Sequence, residues 1–583
     1  MEFNKIVLGF TILTLVACGG GDKKEEKVKG KNEVIIHDLS DPATLNPINE
    51  SDASASYIVG NIFQSLLAYD KDNYSPYGLL ADSLPIVNTN IKDSLLQFTF
   101  KLRKKARWDD QSPITAEDVA FSLKLFKVPN IDCASLRSYF EMFDDITIDS
   151  SDKKKFTVHC NRLYHMAEDA IGGLIVLNPK IFDPNGVIGK YTIQQLSNSK
   201  KLDAKSIKSL EEYAKFFNES FNTKIPSGAG SGPYEFEKWE TMQRITLKKK
   251  QNWWAAKERD AEVHFTANPD KIIYETVNDF NNALVMLKGG KMDVMYGIPN
   301  RDFVEDLQAS KEMTDRLHLF TPPQFAYEYI GINIKNKKFQ DLRVRKALSH
   351  LLDVDKIVEV VCYGLGERVS GFVHPSKKEQ YNDKIIMPDY NVQKAKQLFS
   401  EAGWKDSNGD GVVDKMINGE KVEMEVNIMF NNGNERRKKT CVYFLEGAKA
   451  AGVKVIIQPR EWSKMLEEKN KHDFELYVGG WISSPFESDP YQVWHSSSYN
   501  GGSNDVGFGN AVSDALIEKI RTTINKDERN QYYKDLQFLI SQEVPVIFLF
   551  AQKERIAVNK RWTNVKASGL RPGFDPTMFK QLQ

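Results

Sequence analysis

The chain has 583 residues, 41% of them apolar and 27% charged, an ordinary balance for a folded protein of several domains. Lysine and arginine total 79, as do aspartate and glutamate, so the formal net charge is zero. That balance argues against a nucleic-acid partner or a polybasic membrane patch, although a charge confined to one pocket would not show in a total.

Only the N-terminus departs from the average. After a short head containing Lys5, residues Ile6 to Ala17 form a nearly continuous apolar run. A helix needs about 20 apolar residues to cross a bilayer, so this run is too short to span and fits the core of a secretory signal. It ends Leu15-Val16-Ala17-Cys18 and is followed by Gly19-Gly20-Gly21, which resembles the lipobox of bacterial lipoproteins. The resemblance implies cleavage after residue 17 and acylation of Cys18, and each buried acyl methylene adds about 0.8 kcal/mol of membrane affinity. Residues 18–33 are then a polar tether without enough apolar surface to order itself. Of the remaining cysteines, Cys133, Cys160, Cys362 and Cys441, the first two are the candidate pair if an exported chain carries a bridge, the alternative being four buried thiols.

The mature chain alternates helix and strand patterns. Thr115 and Asp118 form a capping-box start, with Val119, Leu123 and Phe126 on one face. A stretch rich in Lys, Glu, Asn and Ser follows at about 181–228, with helical spacing from Leu202 to Phe217. Val344, Ala347, Leu348, Leu351 and Leu352 mark an amphipathic helix. Another starts at Asn391, buries Ala395, Leu398, Phe399 and Ala402, and stops at Gly403. Next come Asp406, Asn408, Asp410 and Asp414, spaced like the start of a calcium loop. Position 12 is Ile417, so the usual bidentate carboxylate is missing; a structural calcium and a plain acidic turn both remain open. Strands are expected at Val422–Met424–Val426–Ile428, at Phe474–Leu476–Val478 and along Val546–Phe550.

Taken in order, eight short segments resemble the extracellular solute-binding family 5, the oligopeptide-, dipeptide- and nickel-type binding lipoproteins of ABC importers. They begin with Asp41-Pro42-Ala43-Thr44-Leu45-Asn46-Pro47 and Asn61-Ile62-Phe63-Gln64-Ser65-Leu66-Leu67, and include Ile114-Thr115-Ala116-Glu117-Asp118-Val119 and Ser231-Gly232-Pro233-Tyr234. Gly290-Lys291-Met292-Asp293-Val294 and Asp341-Leu342-Arg343-Val344-Arg345-Lys346-Ala347-Leu348 follow. The resemblance implies an α/β fold of the two-lobed periplasmic binding protein type II (cluster C), with mixed sheets in each lobe and a ligand cleft between them. Lobe I would comprise 34–71, 226–309 and 551–583, with an additional domain at 72–225 packed on it, and lobe II would comprise 310–550. The 181–228 stretch then reads as a surface embellishment or as a cover over the cleft mouth.

The same resemblance places ligand contacts in two regions. One is Asn49, Glu50 and Ser51; the other is the segment from Gly479, with Trp481, Ser484, Phe486, Asp489 and Trp494. Peptide-binding members carry an Asp three residues after that Trp, to pair with a peptide amine. Here the position is Ser484, which cannot form that ion pair, leaving Glu487 or Asp489 as substitutes. No HExxH, GxSxG or Walker loop occurs, so no enzyme activity and no cofactor are expected. The expected protein is a monomeric, lipid-anchored binding component on the periplasmic or extracellular face. It takes up a small solute, peptide favoured, and passes it to permease subunits. A sensing lipoprotein uncoupled from import and a cell-wall-fragment hydrolase are the alternatives.

Overall fold

The computed structural model describes residues 31–49, 53–90, 95–258, 264–483, 486–500 and 502–582. Cys18, the signal and most of the tether lie outside the described residues, as do Glu50, Ser51 and Ser484. Among the described residues no helix is long and apolar enough to cross a membrane.

Three sheets organise the chain. The first has seven strands in the order Leu317–Phe320, Ile556–Asn559, Val294–Tyr296, Glu33–Asp38, Lys271–Thr276, Arg244–Lys249 and Tyr234–Glu240. Its centre is tied by a buried carboxylate: Asp293 accepts from the amide of Ile35 at 2.9 Å and is clasped by the guanidinium of Arg561. A second sheet orders Lys454–Arg460, Glu425–Asn431, Leu476–Ile482, Ala326–Ile332 and Val546–Phe548. A third joins Ile86–Asn90, Leu95–Lys101, Lys155–Cys160 and Phe143–Ile148. Leu96, Phe98 and Phe100 alternate inward there against Phe156, Val158 and Cys160, the period-two pattern of a half-buried strand.

The first and third sheets share one continuous apolar core; the second has its own. Two lobes result, and the chain passes between them along two paired segments. Pro323 bridges Lys553, Gln324 N–H donates to the Gln552 carbonyl at 2.9 Å, and Glu554 N–H donates to the Pro322 carbonyl at 2.8 Å. This narrow two-stranded crossing is the geometry of a hinge.

Local signals in the sequence explain much of the rest. The helix Ala116–Leu125 begins where Asp118 accepts from the Thr115 amide at 2.7 Å. Asn391 caps Val392–Glu401, and Gly403 ends it with φ +86°, a conformation open to glycine. In Ser231-Gly232-Pro233-Tyr234, a Cβ on Gly232 would sit 2.7 Å from the carbonyl oxygens of Asn61 and Ile62, so the backbones can approach only without one.

The structure bears on three further readings. Cys133 and Cys160 do not pair: all four described cysteines are free and buried, and burial pushes the Cys441 thiol up to about 12. The acidic turn at Asp406 satisfies itself. Asp406 accepts from the amides of Gly409 and Gly411, Asp410 from Val412 and Asn408, and Asp414 from Ser407. No group of three or more His, Cys, Asp or Glu side chains is placed to hold a metal ion among the described residues. The 181–228 stretch is not merely an embellishment. Its helix Ala204–Ser220 buries Leu210, Tyr213, Ala214 and Phe217 in the N-terminal core.

Candidate functional site

A chamber of about 510 Å³ lies between the lobes. Tyr69 and the short helix Ala167–Gly172 form one wall; the loop at Lys377, residues Phe486 and Glu487, and Arg529 form the other. A larger groove of about 880 Å³ opens elsewhere, between helix Ala116–Leu125 and residues 178–193. All of its lining lies between Trp108 and Ile193, on the N-terminal lobe alone, so lobe closure does not shape it. The interlobe chamber is therefore the candidate site.

Aromatic and polar contacts hold the lobes together around it. Tyr69 stacks on Phe486 with ring centroids 3.5 Å apart. Its hydroxyl also donates to Asp169, whose carboxyl is raised chiefly by burial. Beside this pair, Tyr164 donates to Asp489 at 3.0 Å from across the cleft. Asp489 also takes Arg521 Nε at 3.0 Å and the Tyr491 amide at 2.9 Å. The amide of His165 donates to the Arg521 carbonyl at 2.9 Å. The imidazole, with a fully enclosed side chain, meets the Tyr533 hydroxyl at 3.3 Å and lies 3.9 Å from Glu487. Burial pulls its pKa down to about 4, so it is neutral near pH 7.

Charge pairing on the second wall is tight. Arg529 grips Glu487 through two contacts of 2.6 and 2.7 Å, while its third nitrogen satisfies the carbonyls of Thr523 and Ile524. The Lys377 ammonium donates to the Phe486 carbonyl, and burial pulls its pKa down to about 8. This wall is thus held by its own charge-assisted hydrogen bonds.

Of the residues named from sequence, Phe486 lines the chamber and Asp489 ties its lobes. Trp481, on strand Leu476–Ile482 opposite Tyr327, packs part-buried against the C-terminal lobe's second apolar cluster. Trp494 is only 3% exposed and sits among Phe372, Phe508 and Phe548, in the core rather than on the cleft. Asn49 is not part of the chamber's lining and donates to Asn218 on helix Ala204–Ser220 at 3.3 Å. Sequence reading missed Tyr69, His165, Glu168, Asp169, Lys377 and Arg529. No motif surrounds them, and they meet only when residues hundreds of positions apart are brought together.

Two mixed α/β lobes on a paired-strand hinge, closed over a chamber that draws on both, define a two-lobed binding protein. The profile of the bacterial extracellular solute-binding proteins, family 5 (Middle), matches residues 75–503, and the chain belongs to this family. The oligopeptide-binding protein AppA of Bacillus subtilis is 28% identical over 569 residues, covering 95% of this chain and 93% of AppA. Among solved structures, the ABC transporter substrate-binding protein CtaP of Listeria monocytogenes superposes with a TM-score of 0.74 at 20% identity, covering 95% of this chain and all of CtaP. NikZ of Campylobacter jejuni, solved with Ni(L-His), gives 0.70 at 21% identity, with 95% of this chain and all of NikZ covered. These relatives and neighbours are binding proteins, and one fold among them accommodates quite different ligands.

Proposed function

We propose that this chain is the lipid-anchored solute-binding component of an ABC importer, that it captures peptides in the interlobe chamber, and that it hands them to permease subunits. The observation that carries the reading is the chamber itself. Its walls come from different lobes joined by a slender hinge, so a solute that touches both walls favours the closed arrangement by its extra contacts there. The permease then has a closed form to tell apart from an open one. The relation to an oligopeptide-binding protein along 95% of the chain supports peptide as the solute. The run ending at Cys18 supports anchoring, with the polar residues after it as a tether.

Deletion of the gene should abolish uptake of radiolabelled short peptides by the source bacterium, and re-expression should restore it. A Cys18→Ser version should move from the detergent phase to the soluble fraction. Unchanged peptide uptake in the deletion strain would overturn the importer reading, and continued detergent partitioning of the variant would overturn the anchor.

A further inference from the structure

Among the described residues, the charges facing the chamber have partners with two exceptions, the exposed Lys378 and the half-buried Glu168. Arg529 is taken up by Glu487, and Lys526 by Glu379 at 2.9 Å. Lys377 donates to the Phe486 carbonyl within the field of Glu487 and Asp169, and Asp169 receives the Tyr69 hydroxyl. Lys378 is exposed. Glu168 also lines the chamber, on helix Ala167–Gly172, but among the described residues no hydrogen bond or ion pair reaches it. It is half-buried, and the charge that acts on it is that of its neighbour Asp169, which has the same sign. Burial and this repulsion both hold its carboxyl above the usual carboxylate range. A desolvated carboxylate beside another is costly until a cation joins it.

A second feature points the same way. Tyr69, Tyr74, Phe325 and Phe486 also line the chamber, and aromatic faces attract ammonium and guanidinium groups. We infer that Glu168 is a specificity-determining residue of this chamber and selects solutes bearing an ammonium or guanidinium group. The inference rests on the chamber being the solute site. Because Glu168 belongs to one wall and Lys377 to the other, a solute with a cationic and an anionic end would span both walls and hold the lobes closed.

The test is calorimetric titration of the mature chain and of Glu168→Gln and Glu168→Asp variants. The probes are trilysine, trialanine, N-acetyl-trialanine and the non-peptide cation agmatine. Equal melting temperatures establish that the variants fold. The expected result is that amine-bearing probes bind the wild type and lose about tenfold or more with Glu168→Gln. Glu168→Asp should recover part of that loss, and N-acetyl-trialanine should bind weakly and equally to all three proteins. Equal affinity of wild type and Glu168→Gln for trilysine or trialanine overturns the role of Glu168 and leaves the peptide reading standing. Binding of agmatine alone, lost with Glu168→Gln, overturns the peptide reading and keeps the inference. Binding of no amine-bearing probe by the wild type overturns the inference, and peptide uptake by cells then decides the peptide reading separately.

Discussion

At the scale of single residues, His165 turns closure into a function of pH. Its folded pKa, about 4, lies below the ordinary 6.5 because burial outweighs the pull of Glu487. An imidazole exposed by lobe opening takes up a proton near pH 6.5, whereas the closed form resists until about 4. The closed arrangement is therefore unhindered above pH 6.5 and is disfavoured progressively as pH falls towards 4, by up to roughly 3 kcal/mol. Glu168 and Asp169 act in the opposite sense, since their raised carboxyls are relieved by protonation in the closed form. A His165→Asn variant isolates the imidazole. Interlobe distance measured by fluorescence transfer between pH 7 and pH 5 should open less in this variant than in the wild type; identical curves would assign the response to another group. None of this was legible in the sequence. Tyr164, His165 and Asp169 sit in an unremarkable stretch, and their roles come from Asp489, Tyr533 and Tyr69, distant in the chain.

At the scale of elements, the sequence was most readable where the cause of a structure is local. Caps at Thr115 and Asn391 mark helix starts because each satisfies backbone groups within a single turn. Alternation alone was less informative. Val422 to Ile428 alternates like one strand, yet the chain divides at Met424, whose amide goes to Val413 and whose carbonyl accepts from Lys454. Val422 then belongs to a hairpin with Lys415, and Ile428 to the five-stranded sheet. Val546 to Phe550 divides likewise, at Leu549, whose amide donates to Glu328. Which sheet a strand joins is decided by partners far away. Helix Ala204–Ser220 had the right period but an unforeseen role: it supports the segment after Asp41, with the Phe217 carbonyl accepting from Asn46 at 2.9 Å. Phe217→Ala removes a fully buried ring packed on Tyr213, Phe221 and Phe182, and should cost about 3–5 kcal/mol in urea unfolding. Phe216→Ala, at a more exposed neighbouring position, should cost far less; equal losses would show that the helix is not docked by this face.

At the scale of the whole molecule, the two-lobed architecture was legible from ordered segments, but the contacts that close it were legible only at Phe486, Glu487 and Asp489. The Tyr69–Phe486 stack is an aromatic tie between the lobes, beside polar ties such as Tyr164 to Asp489. An aromatic pair contributes about 0.5–1.5 kcal/mol beyond its buried area, enough to shift a nearly balanced equilibrium severalfold. Phe486→Ala should therefore enlarge the radius of gyration of the unliganded protein in small-angle scattering while leaving its melting temperature nearly unchanged. An unaltered radius would mean that the polar ties alone set the closed population.

The position of the first strand also constrains how the molecule can be made. Glu33–Asp38 lies in the interior of the seven-stranded sheet, beside Lys271–Thr276 on one side and Val294–Tyr296 on the other. The latter is in turn completed by Ile556–Asn559. A chain emerging N-terminus first must hold this apolar strand unpaired until residues more than two hundred positions later arrive, and the sheet is finished only by the last segment. Such long-range pairing folds slowly. The seven-stranded sheet can thus be completed only after most of the C-terminal lobe's sheet, drawn chiefly from residues 326–482, has emerged, and a holding factor that shields residues 33–38 during emergence would speed its assembly.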